Sequence, residues 1–242
     1  MSAFLKGPER GWFVMKIMLG TVAGAASGSM GNLTVSRNRG GYYIRMRVIP
    51  TKVMNQYTVA VQDAMATCSR AWGALTAGQQ MAWNTWANAN PVVDVLGQKQ
   101  ALFGNAAYCM LNTRLIQAGN AAIAVPPVIA APEALLTLSA VAAAGAETCV
   151  LTFTATPLAA NHQLWVQAAL LVNPGVNYFK NLLKLVKVSA AAQATDLDIG
   201  PELTARFGIW AEGHRLVIKA AVFDDETGLL SGPRLATATV AA

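Results

Sequence analysis

The side chains with the clearest capacity for binding chemistry are basic and aromatic residues near the amino terminus. Arg37 and Arg39 precede Tyr43, and Arg45 and Arg47 follow it at alternate positions. Guanidinium groups form paired hydrogen bonds with carboxylates and phosphates, and tyrosine rings can stack on bases. This pattern predicts a surface for an anionic partner. We expect acidic patches on neighbouring protein subunits, with nucleic acid as the alternative.

Positive charge is concentrated in the same part of the chain. Residues 1–52 contain eight basic residues and one acid, Glu9, so their formal charge is +7. The whole chain carries +6, which leaves residues 53–242 at −1. We therefore predict a nearly neutral body with one cationic arm, which selects for anionic partners.

Groups that could perform catalysis are scarce and dispersed. The sequence contains no GxSxG, HExxH, Walker A or GxGxxG motif, and residues 1–132 hold only three acids. Asp196 and Asp198, with Glu202 nearby, could hold a cation, but a solvated loop explains them more simply. We predict a non-enzymatic protein with no catalytic residues and no cofactor.

The cysteines and histidines do not show the spacing of a metal site. Cys68, Cys109 and Cys149 stand far apart, and so do the two histidines, His162 and His214. Zinc ligands usually come in closely spaced pairs, so we predict no metal site. We interpret the cysteines as reduced, mostly buried small apolar residues, and His214 as a structural residue.

An apolar stretch over residues 12–27 resembles a signal peptide, because it follows basic residues and ends in small ones. Lys16 interrupts it, and no other stretch reaches the roughly 18 uninterrupted apolar residues that a membrane span needs. We expect a chain that is made and kept in a cytoplasm and has no membrane partner. Hydrophobic residues make up 54% of the sequence and charged residues 12%, so we also expect subunit contacts and a homo-oligomer.

The basic residues fall in a predicted β-hairpin. Residues 33–36 form its first strand, residues 37–41 its turn and residues 42–49 its second strand, in which apolar and basic side chains alternate. The preceding residues 20–31 are rich in glycine and alanine without a helical stripe, which favours an extended or turning segment.

Helical patterns begin at Asn55, where the apolar spacing changes from two to about 3.6 residues. Thr76 and Gln79 form a capping-box pattern, which predicts the start of a second helix. A third helix is predicted over residues 101–117, with Phe103 on the same face as the later apolar positions. Together these patterns indicate a small helical unit.

Residues 120–133 contain three prolines and indicate a semi-rigid linker. Beyond it, apolar and polar residues alternate in short segments separated by turns, and residues 180–188 are interpreted as a strand rather than a helix. The end of the chain, a strand, the loop DDETGLLSGP and a last strand, resembles a fibronectin type III or related immunoglobulin-like domain.

The predicted fold class is α+β and multidomain. An N-terminal basic arm with a β-hairpin and a small helical unit precede an all-β immunoglobulin-like or fibronectin III-like sandwich. The predicted domains are the basic extended arm and hairpin at 1–52, the helical domain at 53–119, the proline-rich linker at 120–133 and the sandwich at 134–242.

The segments GNLTVSRNRGGYYIR and LTAGQQMAW in the N-terminal half resemble a pattern in uncharacterised tailed-phage and prophage proteins. The resemblance covers roughly residues 28–115. It implies phage origin and membership of the structural gene set, and it supplies no catalytic residues. The matching positions are Gly31, Asn32, Arg37, Arg39, Gly41, Tyr43, Arg45, Leu75, Thr76, Gln80 and Trp83.

We therefore expect a virion structural protein that is synthesised in the host cytoplasm. Our first expectation is a head decoration, or cement, protein or a minor capsid protein. Its N-terminal arm would anchor it to other virion proteins such as the major capsid protein. The alternatives are a tail or head-to-tail connector component, or a DNA-binding accessory protein whose affinity falls steeply with salt.

Overall fold

The computed structural model describes residues 16–18, 25–38, 41–47, 55–93, 97–154, 156–173 and 175–242. The chain separates into two compact units, Met1–Met54 and Asn55–Ala242. The predicted helical domain, linker and sandwich all fall in the second unit, and the finer division into separate domains stays a prediction.

The first unit contains a four-stranded antiparallel sheet with the strand order β1-β2-β3-β4. The predicted hairpin is confirmed by the pairing of β3 with β4, whose strands close at the pair Asn38 and Gly41. The glycine- and alanine-rich segment contributes β2, and Gly31, with φ +57°, takes the left-handed conformation that the turn into β3 requires. The strands are β1 Lys16–Met18, β2 Ala25–Met30, β3 Leu33–Asn38 and β4 Gly41–Met46.

Three helices open the second unit, with a short strand pair between the second and the third. Asn55 caps the first helix, since its Oδ1 accepts the N–H of Thr58 at 3.0 Å. The predicted start of the second helix is also confirmed. The elements are α1 Gln56–Ala74, α2 Ala77–Ala89, β5 Val92–Val93, β6 Lys99–Gln100 and α3 Gly104–Gln117.

The capping box at the start of α2 has both of its hydrogen bonds. The Oγ1 of Thr76 accepts the backbone N–H of Gln79 at 3.3 Å, and the Oε1 of Gln79 accepts the backbone N–H of Thr76 at 2.9 Å. The substitution Thr76→Ala removes the first bond, so we expect the free energy of unfolding to fall by about 1 kcal/mol. Urea denaturation followed by circular dichroism measures this loss. The control is Thr85→Ala, at an exposed site within α2. We expect it to lower the free energy of unfolding by less than Thr76→Ala does.

The helices pack around an aromatic cluster. Trp83 of α2 is fully buried, and its ring meets Tyr108 of α3 edge-on at 5.4 Å between centroids. Leu111 lies on the predicted buried face of α3 and is buried, but Phe103 is 61% exposed. Phe103 precedes the helix as its N-cap, so the helical spacing does not apply to it.

Residues 121–133 contain no helix or strand, but their first part is held against the helices. The amide of Asn112, which is fully buried, accepts the N–H of Ile123 at 2.7 Å and donates to its carbonyl at 3.1 Å. The indole N–H of Trp83 donates to the carbonyl of Ala124 at 2.9 Å. This half of the proline-rich segment therefore lies on the helices instead of spanning open solvent.

The rest of the second unit is a sandwich of two antiparallel sheets, with strand orders β11-β8-β7 and β10-β9-β12-β13. Seven strands in this arrangement form an immunoglobulin-like architecture, which fibronectin type III domains share. The strand predicted over residues 180–188 begins only at Lys184. The strands are β7 Thr137–Ala143, β8 Thr148–Thr154, β9 His162–Leu171, β10 Lys184–Val188, β11 Leu197–Asp198, β12 Arg215–Asp224 and β13 Arg234–Thr239.

The four-stranded sheet is buried on both faces. Leu164 and Ile218 point into the sandwich core, as their alternation predicts. On the opposite face, Trp165 and Phe223 are also buried, because Leu115 of α3 packs against both of them. The helices thus cover a face that a free-standing sandwich would leave to solvent.

A fourth helix, α4 Gly200–Phe207, lies between β11 and β12 and was not predicted. Its Arg206 guanidinium stacks at 3.6 Å over the ring of Tyr57, in the first turn of α1. Burial lowers the pKa of Arg206, and the phenol of Tyr57 acts in the opposite direction. The tyrosine hydroxyl also donates to the carbonyl of Ala205 at 3.4 Å, so α1 is joined to the sandwich at this point. Across the described ranges, no helix has the length and apolar content needed to cross a membrane.

Candidate partner-binding surface

One side of the β3–β4 hairpin is polar. Residues directly opposite each other in an antiparallel pair share a face, and the pairs here are Ser36 with Tyr43 and Thr34 with Arg45. Ser29 of β2 lies opposite Thr34, and their hydroxyls are 3.1 Å apart. We call these five residues the polar face. It presents a guanidinium, a phenol and three hydroxyls, all of which can hydrogen-bond to an anionic group.

The other side of the hairpin is mostly apolar. Val35 lies opposite Ile44 and Leu33 opposite Met46, and we call these four residues the apolar face. Ile44 is 67% exposed and Met46 is 72% exposed, which is unusual for large apolar side chains that share one small sheet. Leu33, Ile44 and Met46 thus place exposed apolar surface on one side of the hairpin.

The predicted binding residues do not all share one face. Tyr43 and Arg45 lie together on the polar face, and Arg47 follows β4, where its backbone N–H bonds to the carbonyl of Asn32. Arg37 alternates with Ser36 and so lies on the same side as the apolar face. Arg39 lies outside the described residues. The sequence interpretation named the arginines and missed the apolar face, although the alternation that places Ile44 and Met46 together was visible.

The four strands of this sheet, β1 to β4, contain basic residues and no acidic ones. Between Glu9 and Asp63 the sequence contains neither aspartate nor glutamate. Arg37, Arg45 and Arg47 are all exposed, where charge acts over about 8–10 Å at physiological salt. The hairpin therefore attracts anionic surfaces and repels cationic ones.

The carboxylates that could have formed a cation site have separate partners. Asp198 accepts the backbone N–H groups of Cys149 at 3.0 Å and Gly200 at 2.9 Å, so it stabilises the entry into α4. Asp196 accepts from the hydroxyl of Thr152, and Glu202 pairs with Lys187 at 2.7 Å. In the described part of the chain, no group of three histidine, cysteine or acidic residues is arranged to hold a metal.

Two other polar residues have structural contacts. Asp224 is buried and accepts the N–H of Glu226 at 3.0 Å and the hydroxyl of Thr227 at 2.6 Å, and these bonds form a turn at the start of the predicted loop DDETGLLSGP. The Nδ1 of His214 accepts the backbone N–H of Ala211 at 3.2 Å, a contact that shapes the turn before β12. Both residues therefore hold turns of the second unit in place.

The three cysteines are free thiols. Cys68 and Cys149 are buried, as predicted, and Cys109 is partly exposed. Burial raises the pKa of the Cys149 thiol to about 12, with a further contribution from Asp198. Burial also raises the pKa of Cys68. Both buried thiols are therefore protonated at neutral pH and lack the thiolate form that reacts.

No protein-family model matches the sequence, and no curated protein is similar to it. Among solved structures, an Fn3-like protein from Clostridium thermocellum is similar over 47% of this chain and 97% of its own, at 17% identity and a TM-score of 0.30. The adhesin domain of Epf from Streptococcus pyogenes is similar over 46% of this chain and 33% of its own, at 10% identity and a TM-score of 0.29. The immunoglobulin-like character of the sandwich is shown by the strand order of its two sheets.

Proposed function

We propose that this chain is a non-enzymatic structural protein of a tailed-phage virion, anchored to other virion subunits by its N-terminal sheet. The observation that carries the proposal is the chemistry of the β3–β4 hairpin. One small sheet presents Tyr43 and Arg45 on one face and exposed Ile44 and Met46 on the other. A partner that covers both faces gains apolar burial and paired charges together.

The composition supports an assembly role. With 54% hydrophobic and 12% charged residues, the chain has little polar material for an isolated surface. Symmetric assemblies bury such surface and add many weak contacts. The low content of charged residues fits a head decoration (cement) protein or a minor capsid protein best. In a capsid lattice each subunit contact is repeated many times. A tail or head-to-tail connector component is the neighbouring alternative, since an immunoglobulin-like sandwich serves many roles.

The test is incorporation into particles. We expect the double substitution Ile44→Ser and Met46→Ser to lower the amount of this chain in purified, nuclease-treated particles by at least about tenfold, because burying these side chains contributes several kcal/mol. Quantitative mass spectrometry against the major capsid protein measures the copy number. Hundreds of copies would support head decoration, and a handful would support a connector or tail part.

The matched control removes equally exposed apolar groups from the sandwich. Leu136 is 70% exposed and Val141 is 72% exposed, so Leu136→Ser with Val141→Ser changes surface hydrophobicity to a similar extent. We expect this control to load normally. Normal loading of the Ile44 and Met46 variant would show that the hairpin is not the anchor.

The polar face favours a second candidate, a DNA-binding accessory protein. Tyr43 and Arg45 side by side on an exposed strand suit stacking on bases and contact with phosphates. In that case the logarithm of the affinity for duplex DNA falls linearly with the logarithm of salt concentration, with a slope of about −0.9 for each phosphate contacted. Arg45→Gln with Arg47→Gln should then reduce the slope by about two. A steep slope together with absence from particles would replace the virion proposal.

A further inference from the structure

A cavity of about 600 Å³ lies between the helices and the sandwich, within the second unit. Residues of α1 and α3 form one wall, and residues of β9, β12 and the segment after β12 form the other. Small-molecule sites in proteins typically have volumes of about 300–1,000 Å³. The cavity is therefore large enough for a small organic molecule.

The lining combines apolar walls with two cations. Met65, Met110 and Trp165 are among the apolar lining residues, and thioether side chains adapt readily to a flexible ligand. Arg114 and Lys219 also line the cavity, and none of the described lining residues is an aspartate or glutamate. The cavity is thus complementary to a molecule with an apolar body and a negative charge.

Among the described residues, neither cation has an acidic partner. The guanidinium of Arg114 donates one long bond, at 3.4 Å, to the carbonyl of Gly228, and burial lowers the pKa of this side chain. In the described part of the chain, no carboxylate lies within ion-pair distance of Arg114 or Lys219. Partly buried cations without counter-charges are unfavourable, and an anionic ligand removes that cost.

The strands β9 and β12, which contribute to the second wall of the cavity, do not suit a peptide ligand. β9 is paired with β10 and β12, and β12 is paired with β9 and β13. Peptides that bind to sheets use the free backbone groups of an edge strand, and these two inner strands have none to offer. The polar groups that remain are side chains, which suit the single headgroup of a small amphiphile.

We propose that this cavity binds a small amphiphilic carboxylate of the medium-chain fatty acid class. Arg114 and Lys219 hold the carboxylate, and the acyl chain lies along Met65, Met110 and Trp165. This role is separate from the N-terminal sheet, so failure of either proposal leaves the other standing.

Isothermal titration calorimetry of the full chain with decanoate tests the proposal. Decanol matches the chain without the charge, and acetate matches the charge without the chain. We expect decanoate to bind at least about tenfold more tightly than either, because a hydrogen bond to a charged group contributes about that factor. The proposal is wrong if decanoate does not bind, or binds no better than decanol.

The double variant Arg114→Gln with Lys219→Gln assigns the binding to this cavity. We expect it to weaken decanoate binding by at least about tenfold and to leave decanol binding unchanged, which shows that the cavity is still formed. Lys180→Gln, which changes an exposed lysine outside the lining, is the control and should bind decanoate as the original chain does. Equal decanoate affinity in the double variant would overturn the assignment.

Discussion

The substitution Trp83→Ala is expected to lower the free energy of unfolding by about 3–5 kcal/mol. The indole is fully buried and contacts the rings of Trp86 and Tyr108 at 5.9 Å and 5.4 Å between centroids. Its removal leaves a cavity among three helices and strips the carbonyl of Ala124 of its donor. Urea denaturation of the full chain, followed by circular dichroism, measures the change.

Trp83→Phe separates the two contributions to this loss. Phenylalanine keeps much of the ring contact with Tyr108 but cannot donate to Ala124, so we expect a smaller loss of about 1–3 kcal/mol. If Trp83→Ala costs less than Trp83→Phe, or less than about 1 kcal/mol, then Trp83 does not organise the helical core.

The second large effect is expected for Gly228→Ala, in the loop after β12. Gly228 has φ +75°, and a Cβ at this position would lie 2.7 Å from the carbonyl oxygen of Leu111 in α3. The substitution therefore adds backbone strain and pushes the loop away from the helix. We expect the free energy of unfolding to fall by about 2–4 kcal/mol, measured by the same denaturation experiment.

Gly213→Ala is the matched control for Gly228→Ala. Gly213 has a similar φ of +81°, but no heavy atom lies within 4 Å of its added Cβ. We expect Gly213→Ala to lower the free energy of unfolding by about 1–2 kcal/mol, which is the effect of backbone strain alone. Equal losses for the two variants would mean that the loop does not press against α3.

Local signals predicted the starts of the first two helices and the hairpin well. The capping box at Thr76 and Gln79 is formed by residues three positions apart, so the sequence contains both partners. The hairpin follows from alternation over a few residues and is confirmed by the pairing of β3 with β4. These features depend on near neighbours in the chain.

Other features were not predicted, because their sequence signals are short or lie at the boundary of a helix. α4 has only eight residues, although Pro201 in its first turn and the buried Leu203 were available as signals. Phe103 fits the helical spacing of α3, but it lies before the helix begins. Spacing alone does not show where a helix starts.

The arrangement of side chains on the hairpin was predicted in part. The sequence places Tyr43 and Arg45 on one face and Ile44 on the other, since alternation along a strand needs no tertiary information. Whether Ile44 is covered or exposed depends on the rest of the fold. Its 67% exposure came only from the structure.

The amino-acid sequence by itself determined the cationic N-terminal arm, the capped helices and the alternating strands, because each depends on residues close together in the chain. Only the tertiary structure decided that α3 covers the second face of the four-stranded sheet and that Arg114 and Lys219 share one cavity. These two residues are far apart in sequence, and no local pattern couples them. Contacts between residues that are distant in the sequence are set by the packing of helices and strands, because packing minimises the exposed apolar surface of the whole unit.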